Sequence, residues 1–439
     1  MAGTAWFKRG FPKTPFFGKA AAGFRMRGFT GALGLCLILG TLSLLSCGTG
    51  NKTATLWTDR SDFAIYADYF NSAQDSYKVE VRYFDSLAQE LTRTSVYPDI
   101  AAGSWLKSAA TRSLFLPLER LFKKETLSAE DFYPRLLALG KIEDRQYLLP
   151  VAFNIPALIL ARENGNLLSN PFTIGLEEIK ELGKKFNAEA NGTYTRMGFS
   201  PAWEDEFLFI AARLFNIDFR EASPLAWNTA ALDEATGYLR NWIGQANGSI
   251  RQLEDFTFKY FFEPPAKLVL SGRILFAYME SDEFFTLAED RRSSLDFRWI
   301  AERNSIPMQE DTVYYGICKN GPSQKAAEAF TGWFFRMETQ RRLLELSRDK
   351  RMNETLFGVC GGFSALRAVT EQIFPRFYPG LLGHMPPEEF LSPPNVLPRN
   401  WNSLKERAIL PYLHDSIRSE DEGVPLERRI GDWSRLNRE

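Results

Sequence analysis

Segments with a two-residue apolar period alternate with segments of helical period from residue 55 to residue 346, and this alternation limits the chain to layered α/β folds. Thr55–Thr58 reads as a short strand. Phe63, Tyr66, Ala67 and Phe70 recur at helical spacing over 62–71. Tyr77–Tyr83 alternates as a strand, 87–94 reads as a helix, and 98–103 reads as a strand ending in Gly103. Short helical pieces over 109–122 break at Pro117. A strand pair over 147–162 is interrupted at Phe153-Asn154. An amphipathic helix over 176–188 presents Ile179, Leu182 and Phe186 on one face. Further helices are predicted at 205–215, 230–243, 324–346 and 401–417, and strands at 274–279 and 314–318. Residues 385–398 carry five prolines and read as an extended surface segment, and 426–436 reads as a charged last helix. No solenoid repeat appears. At 439 residues the chain exceeds one ordinary core, so more than one domain is expected.

The first fifty residues do not belong to that pattern. Lys8, Arg9, Lys13, Lys19, Arg25 and Arg27 precede an uncharged window that ends at Lys52, and within it Gly28 to Ser46 is small and apolar. Bases followed by an apolar run and small residues form a secretory signal. The run closes in Leu44-Leu45-Ser46-Cys47, which resembles the lipobox of bacterial lipoproteins. That resemblance implies cleavage before Cys47, diacylation of its thiol and acylation of the new amine. Residues 1–46 are then a lipoprotein signal peptide and 47–54 a lipidated tether. The alternative is a plain anchor, since the run is about as long as the roughly 20 residues that span a bilayer. Translation from Met1 or from Met26 fits equally. The mature protein is expected on a cell membrane, facing the periplasm or the exterior.

Composition narrows the function. Of 53 basic residues six lie in the leader, leaving 47 against 54 acidic ones, so the body is mildly acidic and nucleic acid is not the expected partner. Two histidines, His384 and His414, exclude a His-rich metal site and make a His-based triad improbable. No cofactor motif, Walker A or nucleophile elbow occurs. Cys318 and Cys360 remain outside the leader, as a disulfide or as two buried thiols. The acidic clusters Glu204-Asp205-Glu206 and 280–283 read as helix starts, where carboxylates are favoured, although convergent carboxylates keep a glycoside hydrolase open.

The ordered series Leu56-Trp57-Thr58, Tyr97-Pro98-Asp99-Ile100, Gly103-Ser104-Trp105, Tyr147-Leu148-Leu149-Pro150, Pro171-Phe172-Thr173 and Ala326-Ala327-Glu328-Ala329-Phe330 resembles extracellular solute-binding proteins of the maltose-binding type. The resemblance spans 55–435. It departs late in the chain, where Phe357 to Phe363 lacks the family's proline, and at the Pro-rich stretch. It implies a two-lobed, type II periplasmic-binding-protein fold with a multi-crossing hinge. Lobe 1 is expected at 55–153 plus 308–356, and lobe 2 at 156–303 plus 358–439. It further implies a monomer that captures a small solute and passes it to the permease subunits of an ABC importer, with no cofactor.

Aromatic residues make up 14% of the chain, which favours a saccharide. Sugars offer C–H faces to rings and hydroxyls to planar polar groups, so a sugar site interleaves the two on loops. Trp57, Asp59, Arg60, Trp105, Asn154, Trp203, Glu204, Glu280 and Phe363 sit on loops of that kind. Each also has a plainer reading as core, helix cap or hinge hydrogen bond. Trp227, Trp242, Trp299 and Trp333 read as packing residues. The competing functions are a surface interaction or sensor lipoprotein on the same fold and, third, the hydrolase.

Overall fold

The computed structural model describes residues 52–418 and 423–437. The expected signal peptide, Cys47 and most of the tether lie outside the described residues. In chain order the elements that place the site begin with Thr53–Thr58 (β1), Asp62–Ala73 (α1), Lys78–Tyr83 (β2), Leu87–Arg93 (α2) and Ile100–Gly103 (β3). Leu149–Phe153 (β4), Pro156–Ala161 (β5), Thr173–Ile174 (β6), Leu176–Phe186 (α3), Asp205–Leu214 (α4), Thr229–Ala246 (α5) and Ile250–Tyr260 (α6) follow. Next come Phe276–Glu280 (β7), Ser281–Thr286 (α7), Leu295–Ile300 (β8), Ile306–Pro307 (β9), Val313–Ile317 (β10), Gln324–Phe334 (α8) and Met337–Asp349 (α9). The last are Phe363–Ser364 (β11), Leu391–Ser392 (β12), Trp401–Leu404 (α10), Leu410–Ser416 (α11) and Leu426–Leu436 (α12), with a π-helical turn, Lys405–Ile409, joining α10 to α11.

Two sheets define two lobes, as the sequence leads one to expect of this α/β chain. The first has six strands in the order β11-β4-β10-β3-β1-β2, and the second has four in the order β7-β5-β8-β6. β1 pairs in parallel with β2 and β3, while β10 runs antiparallel to β3 and β4. A parallel strand between neighbours is covered on both faces, and β1 buries Ala54 and Leu56 in the main core and Trp57 in a smaller cluster on the other side. β5 is fully buried at the centre of the second sheet, with Pro156 at its first position, where a missing N–H is tolerated.

The lobes meet where the chain crosses between sheets. β4 passes to β5 through Asn154-Ile155. The return path pairs β9 in parallel with β12 and then enters β10 through 308–312. Behind these crossings an aromatic hub joins both sheets. Phe363 packs on Phe153 of β4 at 5.6 Å between centroids, on Phe357 at 5.0 Å and on Trp299 of β8 at 6.0 Å, and Phe285 of α7 stacks on Phe357 at 4.8 Å. Phe363 and Ser364, assigned by the sequence to lobe 2, pair with β4 on the edge of the first sheet.

Two sequence expectations change and one is refined. The helix expected over 324–346 is two helices, α8 and α9, because Phe334 and Phe335 are both buried and the chain turns between them; Phe335 lies against Phe132. The Pro-rich segment lies partly exposed at the surface, as expected, but is anchored there: Leu391 and Leu397 are buried, and Val396 accepts the Glu221 N–H at 2.7 Å. Helix α6, which the sequence reading passed over, is held at its start by a capping box between Ser249 and Gln252. Cys318 and Cys360 are free and buried, and burial pushes the Cys318 thiol up to about 12. No helix among the described residues is long and apolar enough to cross a membrane.

Candidate functional site

Loops at the carboxyl ends of parallel strands face the crevice of an open sheet, and here they build one wall of a cavity of about 410 Å³ between the lobes. Asp59 and Arg60 follow β1, Asp85 and Ser86 follow β2, and Ser104 and Trp105 follow β3. The opposite wall comes from the far end of the chain, from Arg399 and Asn400 through Asn402 and Ser403 to Arg407. Asp311, on the crossing into β10, closes the floor.

Hydrogen bonds fix the first wall. The Arg60 guanidinium donates through Nη2 to Ser104 Oγ at 2.8 Å, to Asp311 Oδ2 at 2.9 Å and to the Asp311 carbonyl at 3.2 Å. Ser104 Oγ donates to that same carbonyl at 2.9 Å, and the Ser104 N–H donates to Asp59 Oδ2 at 3.0 Å. Gly103 makes this possible, since a Cβ there would lie 2.5 Å from Asp59 Oδ1. Trp105 sits at φ 64°, the left-handed region that non-glycine residues seldom occupy and that costs about 1–3 kcal/mol. Burial raises the Asp59 carboxyl, and the Arg60 charge works against that rise.

The second wall is tied to the crossing by a buried ion network. Glu310 accepts from Arg213 of α4 at 2.9 Å and from Lys405 Nζ at 2.7 Å, and Lys405 also reaches Glu206 of α4 at 2.5 Å. Consecutive residues therefore hold opposite lobes: Glu310 grips α4 and the π-helical turn, and Asp311 grips Arg60. Further carboxyls gather at the ends of lobe-2 elements. Burial, with the Glu283 charge second, raises Glu204 to about 7, and burial, with Asp311 second, raises Asp282 to about 6. Glu280 is raised as well, by burial and then by Asp311. No group of side chains among the described residues could hold a metal ion.

Of the residues chosen from sequence, Asp59, Arg60 and Trp105 line the cavity. Trp57 does not: it is 6% exposed and its ring packs on Phe84 at 4.7 Å, because β1 is covered on both faces. Phe363 is fully buried in the aromatic hub. Asn154 is a hinge tie. Its Oδ1 accepts from Ser281 Oγ at 2.7 Å, its Nδ2 donates to the Gly361 carbonyl at 2.8 Å, and its own carbonyl accepts the Gln309 N–H at 2.9 Å. One side chain and its carbonyl thus join β5's neighbour α7, the turn before β11 and the crossing before β10. Trp203 lies in a lobe-2 cluster with Phe199, Phe256 and Phe261, the last at 4.7 Å. Glu204 and Glu280 stand at the starts of α4 and α7, and Glu280 forms a capping box with Glu283.

The sequence reading missed Asp85, Ser86 and Asp311, and all of the second wall. The first two follow a parallel strand and were findable by the same rule as Asp59. Asn400 to Arg407 carry no local signal, because only tertiary packing brings α10 to the carboxyl ends of β1 to β3.

No protein-family model and no curated protein sequence matches the chain. Solved structures do. A cyclic α-maltosyl-1,6-maltose binding protein from Arthrobacter globiformis is 16% identical, with a TM-score of 0.59 over 87% of this chain and 97% of that one. An ABC substrate-binding protein from Listeria monocytogenes, in complex with cycloalternan, is 13% identical with a TM-score of 0.59 over 88% and 98%. A sugar transporter from Rhizobium etli in an open conformation is 11% identical with a TM-score of 0.60 over 87% and 98%. At these identities the likeness establishes the two-lobed fold.

Proposed function

We propose that this chain is the solute-binding component of an ABC importer, capturing a saccharide between its lobes and presenting it to the permease. The observation that carries the reading is the interlobar cavity, with Asp59, Arg60 and Trp105 on one wall and Asn400, Asn402 and Arg407 on the other. Planar polar groups beside an aromatic ring suit hydroxyls and C–H faces. The volume falls in the range of about 300–1,000 Å³ usual for ligand cavities. Neighbours of the same fold are described as binding proteins for maltosyl and cycloalternan saccharides, which supports the substrate class.

The mechanism follows from the two walls. A ligand that touches both lobes binds the closed arrangement better than the open one, and that difference drives closure. The hub and the ties at Asn154 and Glu310 lie behind the cavity and form the pivot. The chain acts as a monomer without cofactor and without catalysis. Residues 1–46 are removed, and the acylated Cys47 moors the body to the membrane beside its permease, raising the local concentration.

Thermal-shift screening of the full chain in detergent against a saccharide panel tests capture. A ligand at 100 times its Kd adds about 2.7 kcal/mol of stability, and a panel that shifts nothing refutes a saccharide ligand. Labelling with radioactive palmitate tests the anchor: the wild type takes up label, and Cys47→Ala does not. Label on the variant, or none on the wild type, removes the lipoprotein assignment. Release of reducing sugar from a bound glycan would restore the hydrolase reading.

A further inference from the structure

A second and larger space lies against the outer side of α10. It measures about 880 Å³ and runs between the 222–229 loop, the start of α10 and helix α12. Asn400 lines both this groove and the interlobar cavity, so the first turn of α10 is their common wall. Asn402 and Ser403 face the cavity, whereas Leu404 faces the groove. The groove is lined by Trp227 from the loop, which is partly exposed, and by an edge of Trp433 from α12, which is otherwise packed in the core, with Ser223, Thr229, Glu427 and Ser434 around them. One partly exposed indole beside hydroxyl and carboxylate groups is the chemistry already found on the cavity walls.

Size decides what continuity means. At about 410 Å³ the cavity stands near the lower end of ligand-holding volumes, so it takes a short saccharide, and a longer one has to leave it. The Asn400 end of α10 is the point where cavity and groove adjoin. We propose that the groove is a second subsite, holding the far end of a long oligosaccharide whose near end sits between the lobes. This rests on the saccharide reading above. The groove makes the protein selective for chain length: the lobes read the first units, and Trp227 with the polar groups beside it reads the units beyond.

Gly431 offers a clean test. It lies on α12 in the groove lining, and a Cβ there meets nothing within 4 Å, so a larger side chain fills the groove without displacing the core. The full chain in detergent is titrated calorimetrically with maltose and maltoheptaose, and with mannobiose and mannohexaose. The wild type is expected to bind the longer member of a pair at least about tenfold more tightly, of the order of one good aromatic contact. Gly431→Phe is expected to erase that advantage and to leave binding of the shorter member unchanged. Trp227→Ala should do the same, and its melting temperature reports whether it folds; Gly431→Phe carries the test if it does not. Equal affinity for long and short saccharides in the wild type, or a length advantage that survives Gly431→Phe, overturns the second subsite and leaves the saccharide reading intact. Binding of none of the four overturns both.

Discussion

Replacing Glu310 by Gln should cost far more than its modest change in shape suggests. The side chain is 5% exposed and faces two cations, Arg213 at 2.9 Å and Lys405 at 2.7 Å, whose own side chains are 12% and 7% exposed. Glutamine keeps the volume and one acceptor but removes the charge, and it turns an amide N–H₂ toward one of the two cations. Lys405 keeps Glu206, a weaker partner because its side chain is 36% exposed. Arg213 keeps only the Met308 and Ser392 carbonyls. Breaking a buried ion pair from one side costs about 3–5 kcal/mol. The remaining partners put this case near the lower limit, about 3 kcal/mol. For a body of this length the unfolding entropy is about 0.8 kcal/mol/K, so the melting temperature should fall by about 4 °C.

A double-mutant cycle separates charge from packing. Lys405→Met alone keeps the aliphatic stem over Phe209, where Nζ lies 4.1 Å from the ring centre. It leaves Glu310 with Arg213 and returns Glu206 to solvent. Combined with Glu310→Gln it removes one of the two cations that faced the lost carboxylate, while Arg213 stays with carbonyls alone, so the double variant should recover only part of the single variant's loss, about 1 kcal/mol. Urea denaturation of all four proteins measures this. Additive losses, or a Glu310→Gln variant within about 0.5 kcal/mol of wild type, would refute the idea that this network fixes the crossing.

Three further outcomes follow from the geometry. Trp203→Ala should lower stability by about 2–3 kcal/mol through loss of its contacts with Phe256 and Phe261, and leave saccharide affinity within about twofold; a large affinity loss in a stable variant would put Trp203 back in the site. Arg60→Lys draws back the one nitrogen, Nη2, that reaches both Ser104 and Asp311, because the lysine stem is shorter, and should raise the Kd of any bound saccharide about tenfold, so an unchanged Kd would sever the link between this wall and binding. Glu204, raised to about 7 from 4.5, takes up a proton on folding, so its contribution is complete below pH 4.5 and is lost as pH rises through 7. The melting temperature of wild type relative to Glu204→Gln should therefore fall between pH 4.5 and 8, by the equivalent of at most about 3 kcal/mol; a flat difference would refute the burial argument.

The elements were legible where one period dominated. β1, α1, β2, α2 and β3 lie within a few residues of their expected places, because alternation and helical spacing are local properties. The interruption at Phe153-Asn154 marked a real change of sheet. Faces were harder. Trp57 ends a strand that is buried on both sides, so parity could not tell core from cleft. Phe363 follows glycines, which suggested a loop, yet it lies in the hub between the sheets. Asp59 and Arg60 were visible because they follow a strand, whereas the ion-pair partner of Arg60, Asp311, is separated from it by 251 positions in the chain. Trp203 looked like a site residue for the reason that makes it a packing residue: it precedes a helix amid other rings.

The distribution of ties also says where movement belongs. At the rear, Asn154 holds three chain passages in buried or half-buried hydrogen bonds, and Glu310 and Asp311 divide between the lobes. At the front, lobe 1 meets lobe 2 through the Ala109 N–H to Glu221 Oε2 at 2.7 Å and through the Arg399 guanidinium to Thr92 Oγ1. The first of these is exposed, and a hydrogen bond open to water contributes about 1 kcal/mol, against about 3 kcal/mol or more for the buried network. Any parting of the lobes therefore breaks the front before the rear. Because Arg399 precedes Asn400, the residue shared by the cavity and the outer groove, any parting of the lobes also shifts the wall between the two spaces. On the second-subsite proposal chain-length selection and lobe closure are coupled through α10, and Thr92→Ala, which removes a front contact without replacing a lining residue, should speed saccharide release from the long and short members of a series alike.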